Sequence, residues 1–142
     1  MDFRVSREAF LRVLTHVSSI VDSRSTIPIL SNIYIKCDNN QVEIRSTDMD
    51  ISIREFVSTD SSKNGEATVN SRILTDIIRK TKKNSIVKCK LEGNRLIINS
   101  DNSVFELNAL TADEFPKFVP LEQTNSFELT SSALEGVVSK TK

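Results

Sequence analysis

Residues 67–78 read Ala67-Thr68-Val69-Asn70-Ser71-Arg72-Ile73-Leu74-Thr75-Asp76-Ile77-Ile78, and the same pattern stands at two other places in the chain. Set without gaps, Val5, Val69 and Leu129 each end a short extended segment, and apolar residues follow at offsets five, eight and nine. These are Phe10, Val13 and Leu14, then Leu74, Ile77 and Ile78, then Leu134, Val137 and Val138. That spacing places them on one face of a helix. A unit of strand, Ser-capped helix and three-strand meander therefore occurs twice and begins a third time, and an internal repeat governs the whole fold.

Working outward, the first copy predicts a strand at Phe3 to Val5, an N-cap at Ser6 and a helix from Arg7 to about Val21. The stretch Ser23 to Pro28 breaks it. Strands follow at Ile29–Cys37, Val42–Ser46 and Ile51–Val57, with a hairpin turn at Asp38-Asn39-Asn40 and a polar loop from Ser58 to Gly65. The second copy predicts a strand at Ala67–Val69, a helix from about Arg72 to Thr81, and strands at Ile86–Leu91, Leu96–Ser100 and Val104–Leu110. The hairpins align too: Asn40, Val42, Ile44 and Ser46 match Asn94, Leu96, Ile98 and Ser100.

Two βαβββ units cannot bury their helices separately. The economical arrangement is an α+β domain of approximate twofold symmetry, with both helices side by side on one face of antiparallel sheets built from both units and the other face solvated. Thr111 to Asn125, containing Pro116 and Pro120, reads as a linker leaving that domain. The expected division is one domain over 1–122, then a linker and the truncated start of a second domain over 123–142. The third copy has no meander to cover its helix, which implies a longer natural protein.

With 142 residues, 38% of them hydrophobic, the chain suffices for one compact core, and it holds no apolar run of membrane-spanning length. No membrane partner is expected. Cys37 and Cys89 lack CxxC spacing and read as small buried strand residues.

The zero net charge hides an asymmetry. Across Arg7–Arg24 and Arg72–Lys83 the basic residues are Arg7, Arg12, Arg24, Arg72, Arg79, Lys80, Lys82 and Lys83, against Glu8, Asp22 and Asp76. On a helix of 100° per residue, Arg72, Arg79 and Lys83 fall within about 40° of one another. Such a stripe is either a solvated face or a surface for a polyanion, and the scarcity of aromatics for base stacking favours duplex over single strands. Nothing assembles a nucleophile, base and orienting group. His16 reads as a wet helix flank, and Asp48 and Asp50 as turn chemistry in preference to a metal site. The chain is therefore expected to be no enzyme and to need no cofactor or metal.

Arg24-Ser25-Thr26-Ile27-Pro28-Ile29-Leu30-Ser31-Asn32-Ile33 resembles the RxTLPILxNL segment of the bacterial DNA polymerase III β subunit family, the replicative sliding clamps. Ser46-Thr47-Asp48-Met49-Asp50 resembles the family's GTDLE segment, Ala67-Thr68-Val69 leads into Arg72 as it does there, and Ala112-Asp113-Glu114-Phe115-Pro116 matches its A-x-(D/E)-FP run. The resemblance implies the DNA clamp fold and a cytoplasmic, non-enzymatic processivity factor. Such a protein closes head to tail as a homodimeric ring around duplex DNA and tethers the polymerase, with helices lining the hole.

On that resemblance Arg24 and Arg72 stand at DNA-contacting positions, and helix geometry extends the surface to Arg79, Lys80 and Lys83, with Arg7 and Arg12 weaker candidates. Phe105, Leu107 and Arg95 match dimer-contact positions, and Ile73 and Ile77 are assigned to the same contact. Val104, Phe105, Leu107 and Leu110 lie on a terminal strand read as an open edge, the alternative being that Phe105 and Leu107 face this domain's own core. Asn102 and Val104 stand where better-known members carry arginines. The groove that receives the polymerase and clamp loader lies between later domains, outside this chain. The competing reading is an interaction scaffold that uses the apolar edge and leaves its basic helices solvated; a nuclease using Asp48 and Asp50 ranks third.

Overall fold

The computed structural model describes residues 1–21, 26–117 and 127–141. In chain order it comprises β1 (Asp2–Ser6), α1 (Arg7–Val17), β2 (Asn32–Asp38), β3 (Gln41–Thr47), β4 (Ser52–Ser58), β5 (Asp60–Lys63) and β6 (Gly65–Asn70). Then follow α2 (Ser71–Lys80), β7 (Ile86–Glu92), β8 (Arg95–Ser100), β9 (Ser103–Leu110) and α3 (Ser131–Ser139).

All three helices begin two residues after the repeat markers Val5, Val69 and Leu129, as the ungapped alignment requires. Each is capped at the intervening position by a side-chain oxygen: Ser6 accepts from the Ala9 amide, Asn70 from Ile73 and Thr130 from Ala133. The shared device is thus a short polar acceptor, and serine fills it only in the first copy.

The strands form a nine-stranded antiparallel sheet in the order β4-β3-β2-β6-β9-β8-β7-β1-β5. The two units exchange their opening strands. β1 pairs with β7 of the second unit, Phe3 opposite Cys89 and Val5 opposite Val87, while β6 pairs with β2 of the first, Val69 opposite Ile33. β9 joins the halves by pairing with β8 along Ser103–Asn108 and with β6 only at Ala109 and Leu110.

This exchange lets one core serve both units. Phe10, Leu14, Ile33, Ile35, Ile44, Leu74, Ile78, Leu96 and Ile98 are fully buried in one cluster. The equivalent Ser46 and Ser100 are buried as well: Ser46 donates to the Val17 carbonyl that ends α1, and Ser100 pairs with Ser85 beyond the end of α2. Cys37 and Cys89 are buried free thiols on β2 and β7.

Several expectations need correction. α1 stops at Val17 and continues only as a 3-10 turn, Ser18–Ile20. β2 begins at Asn32, because Pro28–Ser31 forms a 3-10 turn with proline at its start. The polar loop after β4 contains strand β5, which pairs with β1 and is held by Asn40, whose Oδ1 accepts from the amide and hydroxyl of Ser61. The supposed linker starts with a docked segment: Ala112–Glu114 is a 3-10 turn and Phe115 is buried against Tyr34, ring centroids 5.8 Å apart. That face of the sheet is therefore covered at Tyr34, which also donates to Glu66 and lies under Arg45.

Candidate nucleic-acid interface

α1 and α2 lie side by side and antiparallel, joined by different chemistry at each end. At one end the Ser18 hydroxyl meets Ser71 Oγ at 2.7 Å and Thr75 Oγ1 at 3.0 Å, small groups that let the backbones approach. At the other, Arg7 Nε donates to the Ile78 carbonyl at 3.2 Å and its Nη2 to the Arg79 carbonyl at 2.8 Å. Both carbonyls belong to the last turn of α2, where a cation is also favoured by the helix dipole, and that of Ile78 accepts from Thr81 as well. The Arg7 side chain is only 11% exposed, so its guanidinium is occupied inside the molecule and is not presented to a ligand. Arg12 is exposed.

Of the predicted basic surface, Arg72, Arg79 and Lys80 are exposed on α2, and Arg24 lies outside the described residues. Arg79 Nη1 makes a 3.0 Å ion pair with Asp76 one turn earlier. Lys83 is exposed but off the helix, contrary to the stripe drawn through it. The helix ends at Lys80, where Thr81 turns to an extended ψ of 156° and its hydroxyl donates to the Ile78 carbonyl. Lys82 and Lys83 consequently ride on a loop that continues to Asn84 at a left-handed φ of 59°. Beside α2, where the turn after α1 meets it, lies an open groove of about 690 Å³, lined among others by Ser18, Ser71, Arg72, Thr75, Asp76 and Arg79.

The groups that sequence reading missed are those fixing this loop. The Glu8 carboxylate accepts the Asn84 amide at 2.8 Å, which holds its carboxyl below the usual glutamate range, and the Arg7 amide donates to the Ser85 carbonyl at 3.0 Å. Their only signal was an acid in the first turn of α1, where it also complements the dipole.

The proposed interface residues separate by strand alternation. On β9, Phe105, Leu107 and Ala109 turn inward and Val104, Glu106, Asn108 and Leu110 outward. Leu107 is 5% exposed and belongs to the core, so it is not a surface group in this chain, while Phe105 is half-buried. Val104, 64% exposed, and Ile73 present apolar surface; Ile77 is half-buried against the core. Arg95 pairs with Glu106 across β8 and β9 at 2.6 Å. Among the described residues, β9 has a strand neighbour on one side only over Ser103–Asn108, so part of the expected open edge exists.

Two sites read from sequence as structural are so. His16 is exposed on α1 and hydrogen-bonds Glu55 of β4. Asp48 Oδ1 accepts the amides of Asp50 and Ile51, closing a turn in which Met49 takes a φ of 84°. Among the described residues no helix is long and apolar enough to cross a membrane.

Two antiparallel helices under a sheet of exchanged strands, with basic side chains on the helix layer, define a DNA-clamp domain. The chain belongs to the DNA polymerase III beta subunit family: residues 1–119 match its N-terminal domain. It is 32% identical over 143 residues to a beta sliding clamp of Vibrio harveyi, covering 100% of this chain and 99% of that protein. It is 31% identical over 149 residues to that of Halalkalibacterium halodurans, covering 99% of this chain and 39% of the relative. The DNA polymerase III subunit beta of Pseudomonas aeruginosa superposes with a TM-score of 0.93 at 28% identity, over 98% of this chain and 38% of that one. A sliding clamp from Bartonella birtlesii, solved with griselimycin, gives 0.91 at 32% identity over 95% of this chain and 36% of that one. The chain thus spans about two fifths of most of the curated relatives it matches.

Proposed function

We propose that this chain supplies the first domain of a DNA sliding clamp and the start of the second, with α3 as that domain's opening helix. The whole protein closes as a head-to-tail homodimeric ring around duplex DNA in the cytoplasm. It catalyses nothing itself and holds the replicative polymerase and clamp loader through a groove formed by later domains. The observation that carries this reading is the concentration of exposed basic side chains on one helix layer of a clamp-type domain. Phosphate contacts there give affinity without reading bases, so the ring slides over any sequence.

Arg24, Arg72, Arg79, Lys80 and Lys83 carry the duplex contacts. Val104, Ile73 and the exposed part of Phe105 form the apolar centre of the ring contact, with Ile77 and Leu107 supporting them from the core side. Arg95 and Glu106 lie beside that centre as an ion pair.

The test is topological. The intact protein, loaded on nicked circular DNA, is expected to stay bound through a high-salt wash and to be lost when the circle is linearised. Equal loss from circle and line sinks the ring. Arg72→Ala is expected to lower the slope of log affinity against log salt by about 0.9 for the phosphate contact removed.

A further inference from the structure

We propose that Arg7 and Glu8, the first two residues of α1, are positioning residues for the basic end of α2 and for the loop bearing Lys82 and Lys83. This rests on the reading of the helix layer as the duplex-facing surface. Four backbone groups of one short segment are held from α1. The Ile78 and Arg79 carbonyls accept from the Arg7 guanidinium, the Asn84 amide donates to Glu8, and the Ser85 carbonyl accepts from the Arg7 amide.

Between these anchors stand Arg79, Lys80, Lys82 and Lys83, all exposed. The loop itself supplies little else: Ser85 Oγ donates to the Lys82 carbonyl, and Thr81 closes the helix. A loop carrying two adjacent lysines repels itself and samples many geometries unless its backbone is fixed, and each geometry lost in advance lowers the cost of meeting phosphate. Arg7 suits this task because its planar fork reaches two neighbouring carbonyls at once, which a lysine ammonium does not reproduce. Glu8 is the more telling residue. An acid beside Lys83 on a phosphate-binding surface weakens binding by simple electrostatics, so its presence there calls for another role.

Three variants of the intact protein separate the possibilities: Arg7→Lys, Arg7→Ala and Glu8→Ala. Each is read by duplex affinity across a salt series and by hydrogen exchange of the 79–85 peptide. Positioning predicts that Glu8→Ala binds duplex more weakly than wild type despite losing a negative charge. It also predicts exchange of that peptide faster by about tenfold or more in all three variants. Arg7→Lys should then resemble Arg7→Ala, with the salt slope of both near that of wild type.

If Arg7 instead touched phosphate, Arg7→Lys would bind like wild type and Arg7→Ala would lose about 0.9 of the slope. That result overturns the proposal, as does a Glu8→Ala protein that binds more tightly with unchanged exchange. Glu8 is exposed, so its variant folds even where Arg7→Ala does not. Failure of the wild-type protein to be retained on duplex would refute the clamp reading alone, and the exchange measurement would still decide whether Arg7 and Glu8 hold the segment.

Discussion

The two repeated units use one plan and spend it differently. Arg7 and Ser71 occupy the same place, two residues past Val5 and Val69, and each meets the far end of the other helix. One does so with a two-pronged cation on helix carbonyls, the other with a hydroxyl cluster only wide enough for close approach. Hairpin alignment makes Tyr34 and Lys88 a second such pair, both outward on the first meander strand. Tyr34 is roofed by Phe115, whereas Lys88 reaches only to Asp2. The difference teaches that the repeat specifies where elements lie, while individual substitutions decide which ends are fixed and which faces are covered.

The largest effect tests the shared part. Because opening strands are exchanged, neither unit owns its core. Leu14→Ala and Leu74→Ala, both at fully buried positions, should each cost about 2–5 kcal/mol. They should also leave a single cooperative transition by calorimetry and by urea. A variant in which one half melts first would break the picture of one core. Leu134→Ala, at the matching position of α3 but 52% exposed here, should change stability by less than about 0.5 kcal/mol in this chain.

The next effect concerns the covered face. Tyr34 is the chain's single tyrosine and there is no tryptophan, so phenolate absorbance reports it without background. Burial, then the hydrogen bond to Glu66, pushes its pKa well above the usual tyrosine range. Phe115→Ala removes the ring above it and should bring the alkaline titration back toward, but not to, the ordinary value, since Glu66 remains. A titration unchanged in that variant would show that Phe115 does not roof the site.

How much of this was legible in the sequence follows from what each feature depends on. The helices, the hairpins and sheets built from both units were readable because periodicity and turn chemistry are local, and because two units with one apolar face each leave few ways to combine; the exchange of opening strands was not. Asn39 and Asn40, at φ of 48° and 62°, form the left-handed turn their residue types favour. Strand β5 was missed because Asp60-Ser61-Ser62-Lys63 has no apolar pattern; it is held by Asn40 and β1, both distant in sequence. Resemblance assigns Leu107 to an interface but identifies a position and not the direction of its side chain, which packs into the core of this chain. Lys83 was drawn onto a helix that Thr81 and a distant Arg7 bring to an end. Arg72 was legible as a basic helix residue, but the caps that aim its neighbours were not, since they are side-chain to backbone bonds between the two helices and the loop after α2.

The smallest effects sharpen the comparison most. At the first turn of α1 stands Glu8, which favours the positive end of the helix dipole; at the matching place on α2 stands Arg72, which opposes it, with no acid in that turn. Stability alone would choose otherwise at Arg72, so Arg72→Glu should raise thermal stability by about 0.3–1 kcal/mol while weakening duplex retention. A destabilised variant would mean that Arg72 is held by the fold and not by its ligand.

Glu8 shows the opposite balance and has a pH signature. Its folded carboxyl is held below the ordinary range chiefly by the Asn84 amide, so its charge contributes stability that is complete above the ordinary glutamate pKa. That contribution disappears as pH falls through the depressed one. Wild type should therefore melt slightly above Glu8→Gln at neutral pH, and the gap should close in acid as Glu8 protonates. A gap that persisted in acid would assign the role of Glu8 to shape and not to charge.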